Sequence, residues 1–441
     1  MSKIEVNQIA SQIGGVLTIG ASGDTVSLAA GASQSGFGRS GSVNWDTTKK
    51  TANFTAVSGN GYFLDTTTTT LTITLPTTPS AGDIVAIADY ANTSATNNIT
   101  VGRNGSNIDG EAIDAKIKIN GQVYTLVYVD ATEGWKTVGQ TFNQINTAEF
   151  VAATGGTVTC CGDFKIHTFT GPGTFTVSNA GNSLGSNSVE YLVVAGGGGG
   201  VVRGGGGGGA GGFRQNYPSP TIAGLPVSVT TYPITVGGGG SGVSALCVPT
   251  PQGGDGNPSI FSTITSTGGG GGGSSNSPAP LSNGKPGGSG GGRGGSGCGS
   301  HPVGGLGNTP PVSPPQGNDG GGGAPGNSAG GGGAGAVGTP NPTPGSVNGT
   351  AGGAGLANSI TGSPVFYAGG GGGGGNGPGG SPGPGGNGGG GPGGTVPGGA
   401  GTAGTVNTGG GAGGGGWAPG AGGGAGAAGG SGIVVIRYKF Q

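Results

Sequence analysis

No basic or acidic excess runs through this sequence. It has 15 Lys and Arg against 16 Asp and Glu, a net charge of −1. Without a basic stripe, nucleic acid is not an expected partner. Long apolar runs are missing too: none approaches the ~18 residues of a membrane span, so no membrane insertion is expected. The opening "MSKIEVNQIASQIGG" lacks the apolar core of a signal peptide, which predicts no ordinary secretory export. Only four cysteines occur, Cys160, Cys161, Cys247 and Cys298, and none form a CxxC pair, so no zinc site is expected. Cys160 and Cys161 read as buried or partly buried thiols on opposite faces of a strand. A Cys247–Cys298 bridge stays open.

Catalytic motifs are equally scarce. GxGxxG is met by any glycine run and carries no weight without a strand–helix context. Gly284-Lys285 is followed by Pro286, so there is no phosphate loop. A calcium loop starting at "GSNIDGEAID" (105–114) would need acids at its first and twelfth positions, which are Gly105 and Lys116, so the segment reads as a surface turn. His167 falls on a strand, as a packed or hydrogen-bonding residue. His301 lies in a Pro/Gly loop, where a surface role and a ligand contact are both open. A glycan-cleaving enzyme needs paired carboxylates. Residues 196–432 offer only Asp255 and Asp319, so no enzyme is expected there, while an acid pair in the N-terminal half stays open. No cofactor is expected.

What is present is glycine. Of 121 glycines, 97 lie in 196–432, far above the ~7% background. The same stretch has six charged residues: Arg203, Arg214, Asp255, Lys285, Arg293 and Asp319. Disordered chains are usually rich in charge. This one is poor in it and carries short apolar segments between glycine blocks.

An all-β reading follows in five parts. Residues 1–42 form a shaft or attachment segment too thin to fold alone. Residues 43–140 read as a β-sandwich or barrel. Its strands are "TANFTA" (51–56), "GYFLD" (61–65), "TLTITL" (70–75), "DIVAIAD" (83–89), "NITVG" (98–102), "QVYTLVYVD" (122–130) and "GWKTVG" (134–139). Ile84, Val85, Ile87, Val123, Tyr124, Leu126 and Val127 belong in its core or at a subunit contact, and "TTTTT" (66–70) on an exposed strand edge. Residues 141–195 lead into a β base, with "FKIHTFTGPGTFTVSN" as a hairpin and "VEYLVVA" (189–195) as a strand. Residues 196–432 are glycine blocks with connectors, and 433–441 is a closing strand that pairs with 189–195. Connectors 227–236, 259–267 and 360–368 read as strands of the base.

A glycine block directly after a strand has a physical solution. An extended left-handed helix with three residues per turn leaves its N–H and C=O groups pointing outward. Neighbouring helices in a hexagonal bundle can satisfy nearly all of them, and only glycine permits so close an approach. The expected form is therefore a bundle of polyglycine II helices pinned to the β base.

"HTFTGPGTFTV", "VEYLVVAGGGGG" and "GGSGIVVIRY" together resemble the glycine-rich domain of bacteriophage tail fibres. The design is similar to the tail-tip adhesins of T-even-like phages. "LTIGASGDTVSLAAGAS" and "GYFLDTTTTTLTITLP…AGDIVAIADY" resemble fibre modules of marine phages. The resemblance implies a virion fibre made in the host cytoplasm, and a homotrimer through residues 1–140. It also implies that the N-terminus joins other tail or capsid proteins and that the tip recognises a host surface glycan or outer-membrane protein. Loops 243–256, 274–286, 300–319 and 336–349 are expected at the far end of the bundle, with Lys285, His301 and Asp319 as polar handles. A purely structural tail or capsid fibre and a non-viral glycine-rich structural or ice-binding protein are the alternatives.

Overall fold

The computed structural model describes residues 43–138, 148–217, 223–244, 249–275, 277–278, 280–295, 303–324, 326 and 328–441. Residues 1–42, His301, Cys247 and Cys298 lie outside them, so the shaft, one polar handle and the candidate bridge lie outside the described residues. The chain divides into two compact units, Met1–Ile145 and Asn146–Gln441. It is all-β: among the described residues every regular element is a strand, and no sheet closes into a barrel.

The first unit contains β1 (Asn44–Lys50), β2 (Phe54–Thr55), β3 (Asn60–Leu64), β4 (Leu71–Thr74), β5 (Ile84–Asp89), β6 (Ile99–Gly102), β7 (Ala115–Ile117), β8 (Val123–Asp130) and β9 (Gly134–Val138). They form two sheets, β1-β3-β5-β8-β9 and β2-β4-β6-β7. Up to β6, successive strands alternate between the sheets. Same-sheet neighbours there are consequently parallel, as in β1–β3, β3–β5, β2–β4 and β4–β6. This is a coil closed by antiparallel β7, β8 and β9. The seven expected strands are present; β1, whose sequence lacks apolar alternation, and the short β7, in which Ala115 and Ile117 alternate with Lys116, are additional. Leu64, Ile73, Val85, Ile87, Ile99, Leu126 and Trp135 fill the core between the sheets.

One expectation is corrected and one is narrowed. Thr66–Thr70 is no strand edge but the link from β3 to β4. Thr66 is buried, its hydroxyl 2.8 Å from that of Thr93, and only the later threonines are exposed. Of the two places expected for Val123, core or subunit contact, the core is excluded: it is 41% exposed, because it alternates with Tyr124 onto the outer face of β8.

The second unit contains β10 (Val151–Thr154), β11 (Thr157–Cys161), β12 (Phe164–Phe169), β13 (Gly173–Ala180), β14 (Ser188–Val194), β15 (Phe213–Gln215), β16 (Leu225–Pro226), β17 (Thr231–Thr235), β18 (Ser259–Phe261), β19 (Ile264–Ser266), β20 (Leu356–Asn358), β21 (Val365–Tyr367) and β22 (Ile433–Lys439). Two sheets, β10-β13-β17-β18-β19 and β11-β12-β22-β14-β15, face each other over Phe175, Val177, Ile234, Phe261, Val434 and Ile436. The ends of the glycine-rich stretch do pair: β14 lies antiparallel to β22, with Val194 opposite Ile433. Leu192, Val194, Phe213, Ile433 and Val435 bury the second face of this sheet against Ala210, Ile360 and Tyr367. Burial on both faces explains why these strands read as unbroken apolar runs.

"FKIHTF" and "GTFTVSN" are strands but not a hairpin. β12 pairs with β11 and β22, and β13 with β10 and β17, so "TGPG" carries the chain from one sheet to the other. The C-terminal strand occupies the place a hairpin partner would take. Segment 360–368 is not in a base sheet either: β21 forms a separate hairpin with β20, whose Tyr367 packs beneath the base. Cys160 and Cys161 are both exposed, because β11 is the outer strand of its sheet.

Beyond β14 the chain enters the bundle. Gly196 and Gly199 donate to Asn257 and Gly254, Gly197 and Gly200 to Gly430 and Ala427, and Ala195 and Gly198 to Gly212 and Gly209, at 2.8–3.0 Å. Their carbonyls, with that of Val201, accept from Gly269 and Gly272, Gly240 and Val243, and Ala412 and Gly415. Every third residue returns to the same neighbour, the periodicity of a three-residue helical turn. The donor neighbours run antiparallel and the acceptor neighbours parallel, so six segments surround this one. A methyl on Gly197 would lie 2.1 Å from the Gly410 oxygen, and one on Gly198 2.2 Å from that of Gly270. Collagen crowds one position in three around its axis. Here every face meets a neighbour, which is why the runs are nearly pure glycine and show no G-X-Y frame.

Candidate functional site

Bundle segments leave the base and return to it in turn, as 196–200 and 205–212 do. Their links therefore fall at two ends. The turns 202–204, 342–348, 376–380, 395–398 and 417–423 lie at the end away from the base sheets. Composition misjudged one large loop. Within 300–319, the proline-rich 308–316 sits on the base, because segment 303–307 returns there and 317–322 leaves. The Gln316 carbonyl accepts from Phe213 N–H at 2.8 Å, and its side-chain oxygen from Thr267 N–H at 2.9 Å. The stretches 253–256, 284–286 and 338–341 are bundle segments rather than loops.

Lys285 and Asp319 are likewise inside bundle segments. Lys285 N–H donates to Gly271, its carbonyl accepts from Gly291, and its Nζ lies 3.4 Å from Asp255 Oδ2. Asp319 Oδ1 accepts from Gly307 N–H at 2.7 Å. Each side chain ties neighbouring segments together, and the two residues do not contact one another. Arg293 is fully buried toward the far end, with its guanidinium donating to the carbonyls of Gly323 and Ala324. Burial lowers its pKa to about 10, still charged at neutral pH.

The far end has a cluster that sequence reasoning missed. Arg203 adopts a left-handed backbone, φ 64°, and its N–H donates to Gly424. Ser275 Oγ donates to the carbonyls of Val202 and Arg203. The guanidinium lies over the Trp417 ring, 5.1 Å from its centre. Trp417 N–H donates to Gly375, and its carbonyl accepts from Gly377 at 2.7 Å. Asn376 reaches Gly326 O at 2.7 Å, and its N–H donates to Val347. Turns 202–204, 342–348, 376–380 and 417–423, with Ser275 and Gly326 from two further segments, thus converge on Arg203, Asn376 and Trp417. The available signal was slight: Trp417 is the one tryptophan of 196–432, and Arg203 interrupts two glycine runs.

The cluster presents a cation, an indole and backbone amides. Among the described residues no three His, Cys, Asp or Glu side chains gather as metal ligands.

The sequence pattern of a family described as a glycine-rich domain matches residues 169–439, more than half of the chain. The chain belongs to this glycine-rich domain family. The matched region begins at the end of β12 and closes with β22, so it takes in the bundle and the base strands from β13 onward, while β10 and β11 precede it. No curated protein matches the chain.

Proposed function

We propose that this glycine-rich domain is the tip of a virion tail fibre and that it recognises a host-cell surface receptor during adsorption. The observation that carries the reading is the convergence of these turns at the bundle end away from the base. Loops on a rigid scaffold are where recognition residues usually sit. A bundle bonded in six directions is such a scaffold, and its small turns lose little entropy on binding. The receptor is a surface glycan or an outer-membrane protein, and the action is binding, not catalysis. In the same reading the chain is a homotrimer through residues 1–140, its N-terminus joins other virion proteins, and it is made in the host cytoplasm.

The test replaces turns 202–204, 342–348, 376–380 and 417–423 with those of a related phage that infects another host. Adsorption should follow the turns. If host choice follows the N-terminal half instead, the reading fails.

A further inference from the structure

We propose that Arg203, held over Trp417, is the subsite for an anionic group on a receptor saccharide, a sugar bearing carboxylate or phosphate. The inference rests on the receptor reading above and names the chemistry of its ligand.

The backbone supplies the first argument. Among the described residues, the other non-glycine positions at positive φ are Asn92, Asn104, Asp109, Ser262, Asn308, Ala368 and Asn407. All have short side chains, and most are Asn or Asp, the types that tolerate this region best. Arg203 alone carries a long one. A glycine would fit there without strain and would extend the surrounding composition. An arginine kept in a costly conformation points to a use for its side chain.

Charge supplies the second. Residues 196–432 contain only two acids, and both are engaged elsewhere, Asp255 with Lys285 and Asp319 with Gly307. Among the described residues the Arg203 guanidinium donates to no group. Its charge is therefore not neutralised within the domain, while its plane is positioned by the indole. Guanidinium edges bind carboxylate and phosphate through paired N–H donors.

The surroundings supply the third. Next to Arg203 and Trp417 are Gly204, Asn376, Gly377 and Gly423. Such a face offers amide and carbonyl groups and an aromatic ring but little apolar volume. That suits hydroxyls and sugar C–H groups better than the hydrophobic anchor of a protein partner.

The full chain is tested by surface plasmon resonance against immobilised polygalacturonate, a polyglycerol-phosphate polymer and neutral dextran. Wild type should bind one or both acidic polymers and not dextran, and which one it binds separates carboxylate from phosphate. R203G removes the side chain at a position where glycine fits the backbone, so folding is retained and checked by the melting temperature. Its affinity should fall about tenfold or more, the factor that goes with a charge-assisted hydrogen bond. R203K should recover part of the loss, and R214Q at the base should change nothing. Equal binding by wild type and R203G, equal binding to dextran, or no binding to either acidic polymer overturns the inference. If the turn exchange moves host choice but R203G adsorbs as wild type does, the receptor is a protein or neutral glycan and this inference alone fails. If the exchange leaves host choice unmoved, the receptor reading itself is lost.

Discussion

The imidazole of His167 stacks on the ring of Tyr438 and lies 3.0 Å from its hydroxyl, joining β12 to β22 inside the base. The other ring nitrogen, Nδ1, is 2.7 Å from the Gly155 carbonyl, which can only accept. Nδ1 therefore carries the proton, and Nε2 accepts from the tyrosine. The sequence expectation of a packed, hydrogen-bonding histidine agrees with this. Burial pushes the His167 pKa below its usual value, against the opposing pull of the Gly155 bond, and Lys165 adds a smaller push in the same direction.

The sign of the pH dependence follows. The folded state takes up this proton at lower pH than the unfolded chain does. Stability is complete above the unfolded value of about 6.5 and falls as pH drops below it toward the lower folded value. The melting temperature of the second unit should be flat from pH 8 to 7 and decline toward pH 5. His167→Gln should lower it at every pH and remove part of that slope. A melting temperature that rises between pH 7 and pH 5 would contradict the assignment.

Glycine should be indispensable inside the bundle and optional at its turns. Gly198→Ala drives a methyl to 2.2 Å from a backbone oxygen that its hydrogen bonds hold in place. The cost should be about 3 kcal/mol or more, as for an overpacked core. Gly422 has nothing within 4 Å of its virtual Cβ and no positive φ. Gly422→Ala should stay within about 0.5 kcal/mol. Comparable melting shifts for the two variants would argue against a close-packed bundle.

Amide exchange tests the same packing without mutation. Every N–H from Gly369 to Gly375 donates to a neighbouring segment, and all seven residues are buried. Exchange there requires opening of the bundle, so protection should last from minutes to hours. The exposed turn glycine Gly379 should exchange at once. Complete exchange of 369–375 within seconds would mean an unpacked tail.

Sequence pattern revealed which segments are strands better than where each strand goes. Alternation in "TLTITL" and the unbroken run in "VEYLVVA" report burial, on alternate residues in β4 and on both faces in β14. Neither pattern says which sheet a strand joins. "FKIHTF" and "GTFTVSN" therefore read as a hairpin, although the partner of the first is β22 from the far end of the chain. The glycine blocks could be read as a bundle from their composition, but identical residues carry no register. Which segment lies beside which is decided by the hydrogen bonds. The site suffered most. Proline-rich 308–316 has the composition of an exposed tip, yet its contacts with Phe213 and Thr267 put it on the base. Arg203 and Trp417 meet only because separate turns converge.

The proposed homotrimer has a surface on which to form. On β8, Tyr124 and Leu126 face the core, so Val123, Val127 and Val129 face outward. Val138 on β9 pairs with Thr125 and shares that face. Val123, Val129 and Val138 are 41, 45 and 48% exposed, an apolar stripe on a strand pair at the edge of its sheet. An exposed apolar edge of this kind favours association unless it is covered. Three copies packed through this face would bury it. Light scattering on the purified chain should give three times the 40.8 kDa chain mass. Val129→Lys combined with Val138→Lys places charges in the contact and should shift the mass toward that of one chain. Because both residues belong to the first unit, the melting of the second unit should not change. A clean single-chain mass for the wild type would refute the trimer. A trimer that persists in the double variant would move the contact to another part of residues 1–140.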